Sequence, residues 1–353
     1  MNEFLAPTFH VLPLTVIRRE RKLPFPGKIL VRKGQKVGAN DAVVEAKLSP
    51  KHLMLDIAMG LAVSRTQSER FIRVKPGDRL AKGDLIAGPV GMGKRVVRAP
   101  QSCQVILAGS DQVLLELTEN LLQVKAGMSG EVVELIADCG VEIETTGALI
   151  QGNWGNGRID FGVMTVLAKE PGGSLLPDQL DMSMRGAVIL GVHCDSENTL
   201  RLAQELSVRG LILASMLISL RAVAEKMDYP ILLLEGFGSL GMSKQAYKLL
   251  ANNGRREVSV NAQEWNAFEG RRPEIVIPLP GEGGVAPPRM LERLSVNQQV
   301  RSVRAPHAGE IGRLIRLCGT VSLPSGIRAQ AAEVQYDNGE KAVLPLENLE
   351  VFI

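Results

Sequence analysis

Three short stretches carry residue types that could do chemistry. Gly236-Phe237-Gly238-Ser239-Leu240-Gly241 matches G-x-G-x-x-G. In that spacing glycines let backbone amides approach a phosphate at the start of a helix, where the dipole favours an anion. An apolar run, PILLLEG, precedes the motif and a helical pattern, MSKQAYKLLANN, follows it. Two features favour a plain turn. The match comes after the third strand of its unit, whereas the dinucleotide fingerprint belongs to the first strand–helix turn. The acidic ribose partner is also missing, because Glu257 opens its strand instead of closing it. His193-Cys194-Asp195, followed by Ser196, ends the first strand of the same unit, at the edge where open α/β sheets bind ligands. A Cys–His pair works only when the two side chains face each other, and neighbours on an extended chain point apart. Asp195 or Ser196 serves more simply as a helix cap. The candidate ligand-binding residues are therefore Gly236, Gly238, Ser239, Gly241, His193, Asp195 and Ser196, and no catalytic set can be named. A third stretch, Gly88 to Lys94, comes close to a P-loop, but Arg95 stands in place of the Ser/Thr that holds magnesium. RVVRAP then reads as a strand where a helix must open, and the match is discarded.

Cys103, Cys139, Cys194 and Cys318 are dispersed, with no C-x-x-C pair. That spacing fits neither a zinc site nor the disulfide framework of a small secreted domain, so neither metal nor cofactor is expected. The loop Gly152-Asn153-Trp154-Gly155-Asn156-Gly157-Arg158 has the most unusual local composition. Trp154, Asn156 and Arg158 are candidate partner contacts, since Trp buries much area at low entropic cost. The competing reading folds the Trp back over its own module.

These residues need elements to position them. The chain has 353 residues, 45% apolar and 22% charged, with 4% aromatics, 36 Gly and 19 Pro. That composition describes a folded protein with many turns and short strands. The N-terminus places its basic residues after a Pro-interrupted apolar stretch, the reverse of a secretory signal, and no run reaches membrane-spanning length. A cytoplasmic location is the default expectation. Residues 27–46 and 70–89 repeat one pattern: an apolar strand, a V-x-K/P-G-x-x-[VL] turn centred on Gly34 or Gly77, and a second apolar strand. Between them, Leu53, Ile57 and Leu61, with Met54 and Ala58, are spaced for a helical insert.

The repeated pattern resembles the biotinyl/lipoyl-like barrel-sandwich hybrid fold over about residues 26–120. The resemblance implies two interlocking quasi-repeats and, in carrier members, a lysine at an exposed hairpin tip. Here the tip of QVILAGSDQVLLEL offers Gly109, Ser110 and Asp111 and no lysine. Swinging-arm chemistry is thus not expected.

Further along, AVILGV, GLILAS and PILLLEG alternate with helical patterns and lack internal alternation, as strands of a parallel sheet covered on both faces do. The last fifty residues resemble a KOW-type or related SH3-like barrel. Val303-Arg304, the Ala308-Gly309-Glu310-Ile311-Gly312 turn, and AEVQY and KAVLP joined by Asp337-Asn338-Gly339 carry that likeness. The expected fold is a multi-domain α/β plus all-β protein: a barrel-sandwich hybrid-like β module, a small central parallel α/β unit and a C-terminal SH3-like barrel. The boundaries are an N-terminal extension (1–25), the β module with its helical insert (26–120), an additional β segment (121–170), a linker (171–184), the α/β unit (185–280), a second linker (281–298) and the barrel (299–353).

The first 36 residues hold eight Lys/Arg against two acids, while residues 301–353 hold six of each sign; net charge is +3. A balanced terminal barrel lacks the electrostatic footprint of a nucleic-acid grip. The sequence therefore points to a non-enzymatic scaffold or adaptor that docks protein partners. Two alternatives stay open: a phosphorylated-ligand or nucleotide site in the α/β unit, and a transcription- or translation-associated nucleic-acid-binding factor. The sequence does not set the oligomeric state.

Overall fold

A computed structural model describes residues 4–47, 51–91, 93–117, 121–266, 271–281 and 287–353. The chain is mostly β, arranged in several sheets.

Strands Lys28–Ile29, Ala42–Lys47 and Leu121–Lys125 form a small sheet over a core that includes Val31, Val37, Val43, Val44 and Met128. Residues 51–117 build a module of their own. Its strands Lys51–Asp56, Arg79–Leu80, Cys103–Gly109 and Gln112–Leu117 make one sheet, packed with the short helices α1 (Ile57–Leu61) and α2 (Arg65–Ser68) around Ile57, Leu61, Ile86, Val105, Val113 and Leu115. The expected helical insert is therefore half strand. Its helical spacing is real only from Ile57, where Asp56 caps α1 by accepting from the Met59 amide.

Lys47 lies opposite Leu121 on one side of residues 48–50 and 118–120, and Lys51 lies opposite Leu117 on the other, so the pairs on the two sides keep the same register.

A single turn design occurs four times among the described residues. In Arg32–Gln35, Lys75–Asp78, Ala81–Asp84 and Ser295–Gln298 the fourth side chain accepts from the first amide, at 3.0, 2.8, 2.8 and 3.0 Å. The third residue (Gly34, Gly77, Gly83 or Asn297) takes positive φ. Its amide donates to the carbonyl of Val132, Val105, Ala99 or Leu314, and that residue's amide donates back to the carbonyl of Gln35, Asp78, Asp84 or Gln298. The first three copies lie in the recognised repeats. The fourth, in which Asn replaces Gly, opens the C-terminal sheet.

The largest sheet carries the α/β unit. Strands Ile159–Val166, Ala187–Leu190, Gly210–Met216 and Ile231–Phe237 run parallel in that spatial order. Their side chains feed two cores. Val188, Leu190, Ile212, Ala214, Leu232 and Leu234 enter one, and Ile189, Leu211, Leu213, Ile231 and Leu233 enter the other. Burial on both faces is why these strands read as unbroken apolar runs. Helices α3 (Glu197–Glu205) and α4 (Arg221–Ala224) cover the second core, and α5 (Lys244–Asn252) covers the first.

The sheet continues through Glu257–Asn261 and Glu274–Pro278 to the twelve-residue strand Gly140–Gln151, which also pairs along its length with Val11–Lys22. Residues 5–22 are thus fully built in. Leu5–Phe9 lies between Leu291–Arg293 and Leu349–Phe352 in the C-terminal sheet. That sheet ends in the hairpin Arg328–Tyr336/Lys341–Pro345, with Gly339 at positive φ in its Asp337-Asn338-Gly339 tip. The second expected linker, residues 281–298, lies partly outside the described residues; Leu291–Arg293 within it is a strand. Among the described residues no helix is long and apolar enough to cross a membrane.

Candidate functional site

The connection leaving Gly210–Met216 goes to α4 on one face, and the one leaving the adjacent strand Ile231–Phe237 goes to α5 on the other. Adjacent parallel strands with exits to opposite faces open a crevice at their carboxyl ends, where ligands of open α/β sheets bind. The structure brings four of the candidate residues there. Gly236, Gly238, Ser239 and Gly241 form the loop between Ile231–Phe237 and α5, with Gly236 and Gly238 at φ 111° and 123°. His193 joins them through a residue the sequence did not flag. Ser215 Oγ donates to the Leu240 carbonyl at 2.6 Å, accepts from the Leu240 amide at 3.0 Å and lies 3.0 Å from His193 Nδ1.

A hydroxyl has one proton to give. With Leu240 O receiving it, His193 Nδ1 is the donor to Ser215 Oγ. Ser215 itself is fully buried and spends its oxygen on these contacts. Cys194 turns the other way, its Sγ toward the Ser196 carbonyl, and burial pushes its thiol up to about 11. Ser196 takes the N-cap position of α3 without a side-chain cap bond, and Asp195 precedes it.

Some amides of the glycine loop and its flank are already engaged. Gly238 N–H donates to Met216 O, Leu240 N–H to Ser215 Oγ and Met242 N–H to Pro171 O. At the start of α5 a carboxylate already occupies the anion's place: Glu235 Oε1 accepts from the Ser243 amide at 3.2 Å. Ser243 Oγ in turn caps the Ala246 amide.

Glu235 opens onto a buried ionic cluster that joins distant parts of the chain. Its Oε2 meets Arg301 Nη2 at 2.6 Å, while Arg301 Nη1 reaches Asn153 Oδ1 at 3.1 Å and Glu350 Oε2 at 3.6 Å. Glu350 also pairs with Arg272, and Asn153 donates to the Glu235 carbonyl at 3.0 Å. The Arg301 guanidinium lies 4.3 Å from the centre of the Phe9 ring, and Arg272 lies 4.6 Å from the Trp265 ring. Glu235, Arg301, Arg272 and Glu350 all have side chains no more than 5% exposed. Planar guanidiniums stacked on rings and forked onto carboxylates are what make such burial tolerable.

His10 sits beside this cluster. Its Nδ1 faces Gln151 Oε1 at 3.2 Å, and its Nε2 is buried without a partner among the described residues. Burial, with the positive charges of Arg272 and Arg19, holds its pKa below the ordinary 6.5. The folded state thus binds the His10 proton less readily than the unfolded chain. Its contribution is intact above the unfolded pKa and is lost as pH falls below about 6.5, at up to about 1.4 kcal/mol per pH unit. Urea midpoints at pH 7.5 and 5.5 should separate further for the wild type than for His10→Phe. Equal separations would remove His10 from the account.

The second group of candidates is turned inward. Trp154–Gly155 pairs with Leu232 and Leu233 along the sheet edge, and the Trp154 ring meets Phe237 edge-on at 5.1 Å. Asn156 donates to the carbonyls of Ala224 and Tyr229 and accepts from the Ile231 amide, splicing the α4 connection to the sheet. Arg158 is exposed, and its carbonyl accepts from Ala262.

The basic N-terminal stretch is also internally committed: Arg18 pairs with Glu144, Arg19 with Glu274, Lys22 with Glu20 and Lys28 with Glu45. Among the described residues no group of three or more His, Cys, Asp or Glu could hold a metal ion.

The residues the sequence missed (Ser215, Glu235, Arg301, Glu350, Asn153) gain their roles from partners far along the chain. The one local signal was a run of charged residues inside otherwise apolar strands, such as Glu235 closing PILLLEG.

On the module of residues 51–117, pairing sets Met54 opposite Leu114 and Leu114 opposite Leu107, so the three side chains form a row on one face. Met54 is 58% exposed and Leu107 55%, and Ile106 beside them in a β-bulge is 40% exposed. Val113, Leu115 and Val105 take the module's core on the opposite face. No protein-family model matches the chain, and no curated protein matches it either.

Proposed function

We propose that the protein is a non-enzymatic adaptor that docks a protein partner through its β modules. The observation that supports this reading is the row Met54–Leu114–Leu107 with Ile106: apolar side chains on three adjacent strands, turned away from the module's core. A contiguous apolar patch on a small sheet marks an interaction surface, whereas scattered exposed apolar residues need no explanation. The four-fold recurrence of one turn supports reading the flanking modules as barrel-sandwich hybrid-like and the C-terminal sheet as an SH3-like barrel, both common docking folds.

The test is a photo-crosslinking residue in place of Leu107, with another in place of the exposed Lys226 as control. A discrete adduct at the first position, abolished by Met54→Lys and absent at the second, is the expected outcome. No adduct at the first position, or the same adduct at both, would sink the reading.

A second reading, a phosphorylated ligand or nucleotide in the α/β unit, draws on the convergence of His193 with the glycine loop through Ser215. It has to contend with amides already bonded and with Glu235 at the start of α5. A nucleic-acid-binding role has less to rest on, because half of the basic residues in the first 36 are in ion pairs.

A further inference from the structure

A cavity of about 430 Å³ lies between the start of α5 and the C-terminal sheet, lined on one side by Met242 to Gln245 and on the other by Gln299, Gly309, Ile311 to Arg313 and Gln335 to Asp337. Its size falls in the range of small-molecule sites. The sheet wall is ordered by strand register. Gln299 pairs with Arg313 and Arg313 with Gln335, so an amide, a guanidinium and a second amide stand side by side on three adjacent strands. The row behind them is Val300, Gly312 and Tyr336. A Cβ on Gly312 would come within 2.6 Å of Val334 and 2.8 Å of the Gln335 carbonyl, so this close approach requires glycine. Lys244 and Gln245 face the row from α5.

Among the described residues neither Arg313 nor Lys244 is in an ion pair, and Gln245, Gln299 and Gln335 make no side-chain hydrogen bond. This contrasts with Glu235 and Arg301 directly beneath, where every charge has a counterpart. At the start of α5 the Ser243 and Ala246 amides are already taken, and the unengaged side chains of the two walls are the recognition elements.

We propose that this cleft binds a small hydroxylated anion, a sugar phosphate or a hydroxy acid. A planar guanidinium flanked by two amides presents parallel donors to an oxyanion, and Lys244 adds a second positive charge from the opposite wall. Asp337, on the rim without an ion-pair partner, accepts hydroxyl protons from the ligand and repels a second acidic group. This ligand site is separate from the Gly236–Gly241 loop and does not depend on the adaptor reading.

Calorimetric titration at constant ionic strength, with glucose 6-phosphate, gluconate and glucose as probes, tests the assignment. At least one charged probe should saturate below about 1 mM, and glucose should not bind. Arg313→Gln and Lys244→Gln should each weaken binding about tenfold, and Arg313→Lys, which keeps the charge but loses the fork, should fall between. Which charged probe binds separates phosphate from carboxylate recognition. The proposal is overturned if neither charged probe saturates, if glucose binds equally well, or if all three variants bind as the wild type does. All three replace exposed side chains, so unchanged thermal midpoints without ligand show that the fold is retained.

Discussion

Arg301→Met should destabilise the protein by about 3–5 kcal/mol, the largest loss expected from any single substitution of a charged residue here. The guanidinium is the shared counter-charge of Glu235 and Glu350 and the bonding partner of Asn153, at an Arg301 side chain only 2% exposed. Methionine fills similar volume and keeps the contact with Phe9, so the loss isolates the electrostatic part. It leaves Glu235 buried with one amide donor, Ser243 N–H, and Glu350 with Arg272 alone. Adding Glu235→Gln to Arg301→Met should recover part of the loss, because the orphaned charge is then gone. Urea unfolding followed by hydrogen exchange of the Ile231–Phe237 and Leu349–Phe352 amides reads the effect. Both strands should lose protection, since the cluster ties them together. A fall below 1 kcal/mol, or loss confined to one strand, would show that the cluster does not weld the two regions.

Asn156→Ala should cost about 3 kcal/mol, through a different mechanism. One side chain satisfies two carbonyls, of Ala224 and Tyr229, and one amide, of Ile231, at 3.1, 2.9 and 3.0 Å. Truncation orphans the Tyr229 carbonyl and the Ile231 amide beside a packed sheet and leaves the Ala224 carbonyl with the Met227 amide alone, and each unsatisfied buried backbone group costs about 1–3 kcal/mol. Asn156→Asp keeps the acceptor for Ile231 but sets a carboxylate oxygen against two carbonyls, and should cost at least as much. If Asn156 were instead a contact for a partner, the alanine variant would melt as the wild type does and lose only binding. The melting temperature alone separates the two roles.

The sequence made the parallel strands legible because burial on both faces leaves a plain signature, an apolar run of strand length followed by a helical period. It also made two copies of the recurring turn legible, through Gly34 and Gly77. The copy at Ser295–Gln298 escaped because Asn297, which also tolerates positive φ, stands where the others have glycine, and Gln298 is the accepting side chain. Pairing partners were harder. The two recognised repeats do not pair with each other: Lys36–Val37 pairs with Gly130–Ile136, and Arg79–Leu80 with Cys103–Gly109. Nothing in two near-identical patterns says which distant strand completes each. The start of the expected helix shows a local ambiguity, because Leu53, Ile57 and Leu61 are spaced by four, twice the strand period and close to one helical turn. As for the candidate site, the position of the glycine loop was legible and its state was not. Whether its amides are open depends on Ser215, Pro171 and Glu235, none of which belongs to a motif.

The common register on either side of residues 48–50 and 118–120 bears on how such a chain could have grown. Lys47 and Leu121 are already opposite one another, as the last pair of a hairpin must be. A tight two-residue turn could join those strands with no change in the body's pairing or core. Residues 51–117, with their own sheet and their own packed interior, are then a graft at a hairpin tip, a position where insertion disturbs little of the host. The host fold and the graft are free to diverge at different rates, and the exposed row Met54–Leu114–Leu107 lies wholly on the graft.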